Sequence, residues 1–182
     1  MSKINLLTLV IVMACFSACT KTYKIGDQGP AGGIVFYDKG EFTDGWRYLE
    51  AAPSTSELSA IWSNQPIENI NTDTGIGSGK TNTDYLYELL TLQGQTETAA
   101  QLAKKLKSDK YEDWFLPSKD ELYLMYQNLH QNGLGGFSDS VYWSSSHDYD
   151  LNVWDLSFGS GVLYSDYYMR QIKDRVRPVR AF

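Results

Sequence analysis

Both cysteines of this 182-residue chain, Cys15 and Cys19, lie near its amino-terminal end. The chain beyond them therefore contains no disulfide, no thiolate metal site and no cysteine nucleophile. A domain without covalent cross-links depends on packing for its stability, and residues 19–182 are enough for one domain with a sizeable core. The sequence thus predicts a single packed domain that follows a short amino-terminal segment.

The first 18 residues have the pattern of a secretory signal peptide. Lys3 precedes an apolar run from Ile4 to Phe16, and a basic start, about 7–15 apolar residues and a small-residue cleavage zone define such a signal. A membrane span needs roughly 20 apolar residues, so this run is too short to be one. The segment Phe16-Ser17-Ala18-Cys19 resembles a bacterial lipobox, in which the cysteine is lipidated and becomes the mature N-terminus.

We therefore expect residues 1–18 to be removed, Cys19 to be lipidated and residues 19–25 to serve as a tether. The protein would be exported and held on a membrane through its lipid anchor alone, at about 0.8 kcal/mol per buried methylene. The residue after Cys19 is Thr20 rather than an aspartate. This favours the outer membrane and the cell surface as the location of the protein. Two alternatives stay open, namely an ordinary signal peptide with an incidental cysteine and a lipobox at Cys15.

The charge distribution limits the classes of partner. A formal charge of −6 makes the chain a poor binder of nucleic acid, which we exclude as a partner. Positive charges are nevertheless concentrated near the carboxyl end, at Arg170, Lys173, Arg175, Arg177 and Arg180. This cluster supports an alternative function, a fixed adhesin for sulfated host glycans, whose binding would weaken steeply with salt.

Secondary-structure patterns occur in the order strands, helices, strands. The predicted strands are residues 34–37, 47–51, 141–144, 153–158, 161–164 and 176–179, from apolar runs between turn residues. Helical spacing of apolar residues predicts helices at 83–92 and 96–107, and a capping box of Ser118 and Glu121 begins a third that ends near Gly133. This order predicts an α+β fold with one small, mostly antiparallel sheet and two to three helices.

Three motifs resemble functional signatures without meeting their requirements. Gly75 to Thr81 looks like a phosphate loop, but Thr74 stands where that motif needs its first glycine. Gly26 to Gly32 repeats the collagen triplet only twice, too few for a triple helix. The segment from Ser144 to Asp148 contains the residue types of a hydrolase triad. Neighbouring side chains on a strand point to opposite faces, however, so they cannot pass a proton to one another. The sequence therefore predicts no catalytic residue, no metal site and no cofactor, and the protein is not expected to be an enzyme.

Residues 142–170 combine tyrosine and tryptophan with aspartate, asparagine and serine. Antibody combining sites have this composition, because Tyr and Trp give contact area at low entropy cost while Ser and Asn adapt their hydrogen bonds. The alternative is a tyrosine-rich antiparallel sheet with polar loops. The predicted ligand contacts are His147, Asp148, Tyr149, Asp150, Asn152, Trp154, Asp155, Ser157, Tyr164, Asp166, Tyr167, Tyr168 and Arg170.

Six segments together resemble one known domain family. They are Gly26 to Tyr37, Gly45 to Pro53, Gly77 to Thr83, Asp113 to Leu122, Tyr142 to Ser146 and Val176 to Phe182. These segments are similar to the Lcl C-terminal domain family, which is named for a collagen-like adhesin and resembles C-type lectin-like domains. The resemblance implies a C-type lectin-like fold over residues 26–182, with paired terminal strands and a small sheet that bears a loop-rich binding face.

The resemblance also implies what such a domain does. Some proteins with this domain are diversified by retroelements that scatter Asn codons into Tyr, Asp, Ser and His codons, and residues 147–168 look like such a product. The chain lacks the disulfides and calcium–sugar motifs of animal lectins, and it lacks the cysteines of the related formylglycine-generating enzymes. We expect a surface-displayed protein that binds an unknown protein or glycan on host or neighbouring cells. The alternatives are the fixed glycan adhesin and an envelope enzyme.

Overall fold

The computed structural model describes residues 21–67, 70–108, 110–167 and 171–182. These residues form three α-helices and two mostly antiparallel β-sheets, so the predicted α+β class is confirmed. Within these ranges, no helix combines the length and the apolar character that a membrane crossing requires. The predicted signal segment 1–18, the lipidation site Cys19 and the predicted contacts Tyr168 and Arg170 lie outside the described residues.

The first sheet joins strands from both ends of the domain. Strand β1 (Ile34–Thr43) pairs with β2 (Trp46–Ala51), which pairs with β8 (Val179–Ala181), all antiparallel. Asp44 and Gly45, with φ of 53° and 84°, connect β1 to β2, and two-residue turns of this kind match the twist of a hairpin. Both strands of the hairpin lie where the sequence predicts them, although β1 is longer.

Three α-helices precede most of the second sheet. Helix α1 is Gly79–Leu92, α2 is Ala99–Lys105 and α3 is Lys119–Asn128. Ser118 Oγ accepts from the N–H of Glu121, and the Glu121 carboxylate accepts from the N–H of Ser118, which confirms the predicted capping box. Helix α1 begins four residues before its predicted start, and within this first turn Gly79 and Asn82 are buried while Lys80 and Thr81 are exposed.

The second sheet has the strand order β3–β7–β4–β5–β6. Its strands are β3 (Leu58–Ala60), β4 (Val141–His147), β5 (Asn152–Ser157), β6 (Leu163–Tyr167) and β7 (Asp174–Val176). Neighbouring strands are antiparallel except for β4 and β7, which are parallel. This sheet carries most of the predicted contact residues on β5 and on its edge strand β6.

The prediction of one sheet is wrong, because the predicted strand at residues 176–179 is two strands. Val176 ends β7 in the second sheet, and Val179 begins β8 in the first. Pro178 lies between them and has no N–H to donate to a ladder. Its carbonyl accepts from the N–H of Ala52 instead. The chain therefore leaves one sheet and enters the other around this proline.

Two buried clusters hold the elements together. One packs α1 and α2 against Trp62 and Trp143, and the other packs α3 against Tyr142, Phe158 and residues of both sheets. Burial of each large apolar side chain contributes about 1.5–3 kcal/mol. The segment 114–116 is buried as well, and Trp114 packs against Ala31 and Ala52 in a further, smaller cluster.

The collagen-like glycine turn wraps a buried carboxylate. The N–H groups of Ala31 and Gly33 donate to Glu50 at 3.3 and 3.1 Å, and Arg180 pairs with the same carboxylate at 3.0 Å. A β-carbon on Gly29 would lie 2.2 Å from a Glu50 oxygen, so this close approach requires glycine. Burial raises the pKa of Glu50, although Arg180 and the two N–H donors favour its charged form.

Candidate functional site

Strand alternation divides the predicted contacts between the two faces of the second sheet. Directly opposed residues of an antiparallel pair project to the same face, and neighbours along a strand project to opposite faces. Trp154 opposes Ser165, whereas Asp155 opposes Tyr164. One face therefore carries Asn152, Trp154 and Tyr167, and the other carries Asp155, Ser157, Tyr164 and Asp166.

An open polar cleft of about 720 Å³ lies beside Trp154, and we call it the Trp154 cleft. The loop before α1, the first turns of α1 and α3, the end of β4 and the middle of β5 form its walls. The lining residues are Asn71, Thr72, Asp73, Thr74, Ser78, Thr81, Asn82, Lys119, His147, Asp148 and Trp154. Three predicted contacts thus come together with polar residues that the sequence reasoning did not select.

Hydrogen bonds of inward-facing side chains fix the floor of the Trp154 cleft. The Asn82 amide donates to the Asp73 carbonyl at 2.6 Å and accepts from the Asp73 N–H at 2.9 Å. Ser146 Oγ donates to the same carbonyl at 2.7 Å, and the His147 N–H donates to Thr72 Oγ1 at 2.7 Å. Satisfied networks of this kind rigidify a structure. The cleft is therefore preformed, which lowers the entropy cost of binding.

The serine run of β4 bonds to the scaffold rather than to a catalytic base. Ser144, Ser145 and Ser146 are fully buried. Ser144 Oγ donates to the Trp154 carbonyl at 2.6 Å, and Ser145 Oγ accepts from an amide at 3.2 Å. The Nε2 atom of His147 contacts a backbone carbonyl at 2.8 Å. These hydroxyls position β4, whereas a serine nucleophile needs a base at hydrogen-bond distance.

Trp154 and Lys119 together form a surface of the Trp154 cleft on which a ligand can pack. The Nζ atom of Lys119 lies 4.9 Å from the centre of the partly exposed Trp154 ring. Asp148, across the cleft, accepts from Ser165 Oγ and is thereby oriented. An indole face surrounded by hydroxyl, amide, carboxylate and ammonium groups suits a polar ligand that also has an apolar surface. In the part of the chain that the structure describes, no group of three His, Cys, Asp or Glu residues could hold a metal ion.

The glycines that resemble a phosphate loop wrap a carboxylate of the protein itself. The Gly77 N–H donates to Glu121 Oε1 at 2.8 Å, and the Ser118 N–H donates to Oε2 at 2.8 Å. A β-carbon on Gly79 would lie 2.2 Å from Oε2. Burial raises the pKa of Glu121 to about 7 even though these N–H donors favour its charged form. The loop is thus anchored on Glu121, and its residue Ser78 forms part of the cleft wall.

Replacement of Gly79 tests its close approach to the Glu121 carboxylate. We expect Gly79→Ala to lower the free energy of unfolding by about 1–3 kcal/mol, because the added methyl group overpacks a buried site. Gly75→Ala is the matched control in the same loop, since its β-carbon would meet only Asp73, at 3.6 Å, and should change stability by less than about 0.5 kcal/mol. Chemical denaturation measures both variants, and equal stabilities would contradict the close approach of Gly79 to Glu121.

The raised pKa of Glu121 predicts that stability falls as pH rises. Between the ordinary value of 4.5 and the folded value of about 7, the folded carboxyl keeps a proton that the unfolded chain has lost. The free energy of unfolding therefore decreases across this window and levels off above it. Denaturant unfolding from pH 4.5 to above pH 7 should show a smaller decrease in Glu121→Gln, whose amide does not titrate. Parallel curves for the two proteins would show that Glu121 is not the group responsible.

The opposite face of the sheet carries a second, smaller depression, which we call the Tyr164 groove. Ser157, Tyr164 and Asp166 border it, and its volume is about 390 Å³. Asp155 projects to this face but is fully buried, so a ligand at the surface does not reach its carboxylate. Of the predicted contacts on this face, Ser157, Tyr164 and Asp166 border the Tyr164 groove, and Asp155 lies beneath the surface.

The remaining predicted contacts lie in a turn and at the end of the β5–β6 ladder. Tyr149, which is 61% exposed, and Asp150, with φ of 51°, lie between β4 and β5. Asn152 and Tyr167 oppose each other where the ladder ends. The predicted residues are thus spread over two faces and a turn, and one continuous surface does not contain them all.

Two of the late arginines form buried ion pairs. Arg177 is 1% exposed and pairs with Glu57, and Arg180 is 6% exposed and pairs with two carboxylates. Neither guanidinium can contact a sulfated glycan at the surface. Lys173 is exposed and Arg175 is partly exposed, so the exposed basic cluster is smaller than the sequence suggests.

No protein family matches the chain, and no curated protein matches it.

Proposed function

We propose that this chain is an exported, lipid-anchored surface protein that binds a protein or glycan ligand in the Trp154 cleft. The observation that carries the proposal is the convergence of a partly exposed indole with Lys119 and Asp148 on a preformed polar floor. A few convergent polar groups and an aromatic platform on a rigid scaffold are typical of ligand sites. The protein acts as a binding module, and the ligand is recognised by shape and hydrogen bonding.

The domain adopts a C-type lectin-like fold in this proposal. Two features support it, namely the pairing of β2 with β8 from the two ends of the domain and the position of the helices before the second sheet. Retroelement diversification of residues 147–168 would change His147 and Asp148 at the cleft. It would leave the floor formed by Asn82 and Asp73 unchanged. Ligand specificity could then differ between cells on one constant scaffold.

A binding screen tests the proposed function. The mature lipidated protein, reconstituted in vesicles, is applied to printed arrays of glycans and of extracellular host proteins. We expect binding to a restricted set of ligands that survives washing. Absence of binding on both arrays, combined with turnover of compounds from a substrate library, would contradict the proposal and favour an envelope enzyme.

A further inference from the structure

A patch of aromatic and basic side chains surrounds the first residues after the proposed anchor. Lys21, Tyr23, Phe42, Arg47 and Phe182 border one cavity of about 210 Å³, and we call this surface the aromatic patch. The ring of Tyr23 packs edge-on against Phe182 with 5.2 Å between the ring centres. Phe42 projects from β1 near the hairpin turn and is 69% exposed.

The chemistry of the aromatic patch suits a membrane interface. The Nζ atom of Lys21 lies 4.6 Å from the centre of the Tyr23 ring, and the Arg47 guanidinium lies 4.9 Å from the ring of Tyr48. Aromatic rings favour the headgroup region because one part of them is apolar and another polar, and basic side chains extend towards phosphates. Arg47 also pairs with Asp38 at 2.7 Å, so the rings dominate the patch and the charges add to it.

The short distance along the chain between Cys19 and Lys21 determines where the patch can lie. Lys21 follows Cys19 by two residues, and two extended residues span at most about 7 Å. A lipidated cysteine lies at the membrane surface, where each headgroup layer is roughly 5–8 Å thick. Lys21 is therefore held within or next to the headgroups, and the cavity that it borders is held there with it.

We propose that the aromatic patch rests on the lipid headgroups of the membrane that anchors the protein, with Phe42 inserted into the interface. This inference rests on the proposed lipidation of Cys19. Contact through several side chains fixes the orientation of the domain, which a flexible tether alone would leave free to rotate. The same contact shields an exposed phenyl ring from water, and that burial favours docking.

A fluorophore attached at position 42 tests the contact. Cys15 leaves with the signal segment and Cys19 is blocked by lipid, so Phe42→Cys provides the one reactive thiol of the mature chain. Leu92→Cys is the matched control, because Leu92 is also an exposed apolar residue, 86% exposed. It lies on α1, about 20 Å along the helix from Gly79, and it does not border the cavity of the aromatic patch. Both positions are exposed, so neither change should disturb folding, and denaturation of both variants verifies this.

The labelled proteins are reconstituted in vesicles of phosphatidylethanolamine and phosphatidylglycerol. We expect iodide in the water to quench the label at position 42 about threefold less than the label at 92, and nitroxide-bearing lipids to quench only position 42. Equal iodide quenching at both positions in protein that floats with the vesicles would overturn the docking and leave the anchor intact. Failure of the protein to float would overturn the anchor itself, and the docking with it.

Discussion

Arg177→Ala is expected to lower the free energy of unfolding by about 3–5 kcal/mol. The guanidinium is buried, and it pairs with Glu57 while donating to the carbonyls of Gly135 at 2.8 Å and Ala52 at 3.3 Å. The substitution leaves the mostly buried Glu57 carboxylate without its close cation and leaves the two carbonyls without this donor. Water cannot replace these interactions without opening the segment where the chain passes between its two sheets.

Arg175→Ala provides the matched control for this substitution. Arg175 approaches the same Glu57 carboxylate at 3.7 Å, but its side chain is 44% exposed, and exposed ion pairs contribute about 0–1 kcal/mol. Denaturant unfolding of both variants gives the comparison. Losses of similar, small size in the two proteins would show that Arg177 does not stabilise the fold through its pair with Glu57.

The two arginines show why the late basic cluster could not be interpreted from sequence. Burial of an arginine requires partners that satisfy its donors, and Glu57 lies far from Arg177 along the chain. Patterns of neighbouring residues in the sequence do not reveal an ion pair between residues so far apart. Elements with a clear local pattern were predictable, since the hairpin strands, the helices and the capping box of Ser118 depend on residues close in sequence.

The candidate site was predictable only in part for a related reason. Tyrosine and tryptophan enrichment pointed to residues 142–170, and His147, Asp148 and Trp154 of this stretch line the cleft. The opposite wall comes from a polar loop without periodicity, and only the fold brings Thr72 and Asp73 to the end of β4. Asp155 is fully buried, and strand alternation alone does not show which of two neighbouring residues on a strand faces the core.

The two glycine-rich motifs were misleading for a different reason, which is that their glycines surround carboxylates of the protein itself. Each resembles a known ligand-binding or structural repeat, yet each allows the backbone to approach a buried glutamate, Glu50 in one case and Glu121 in the other. Their glycines are explained by close packing around a carboxylate. A sequence shows that such a loop must bend tightly, but it does not show whether the group inside the bend belongs to a ligand or to the protein.

Trp154→Ala is expected to weaken ligand binding by about 30-fold or more, which corresponds to about 2 kcal/mol. The indole is the largest aromatic surface of the cleft, and its ring also positions the ammonium group of Lys119. Alanine removes the surface on which the ligand packs, and it also removes the ring that lies beside the Lys119 ammonium group. Because Trp154 is only partly buried, the variant should still fold, and its unfolding transition verifies this.

Tyr164→Ala is the control for the effect on binding. Tyr164 is also an aromatic residue of the predicted contact set and is 42% exposed, but it borders the groove on the opposite face of the sheet. A ligand in the Trp154 cleft does not touch it. Its substitution should therefore change the affinity by less than about twofold, which is about 0.4 kcal/mol.

Isothermal titration with a ligand recovered from the arrays tests the location of the site most directly. Wild-type protein, Trp154→Ala and Tyr164→Ala are titrated under identical conditions. Binding in the Trp154 cleft predicts a large loss of affinity in Trp154→Ala and little change in Tyr164→Ala. Unchanged affinity in Trp154→Ala, with the loss in Tyr164→Ala instead, would place the ligand on the opposite face and contradict the proposed site.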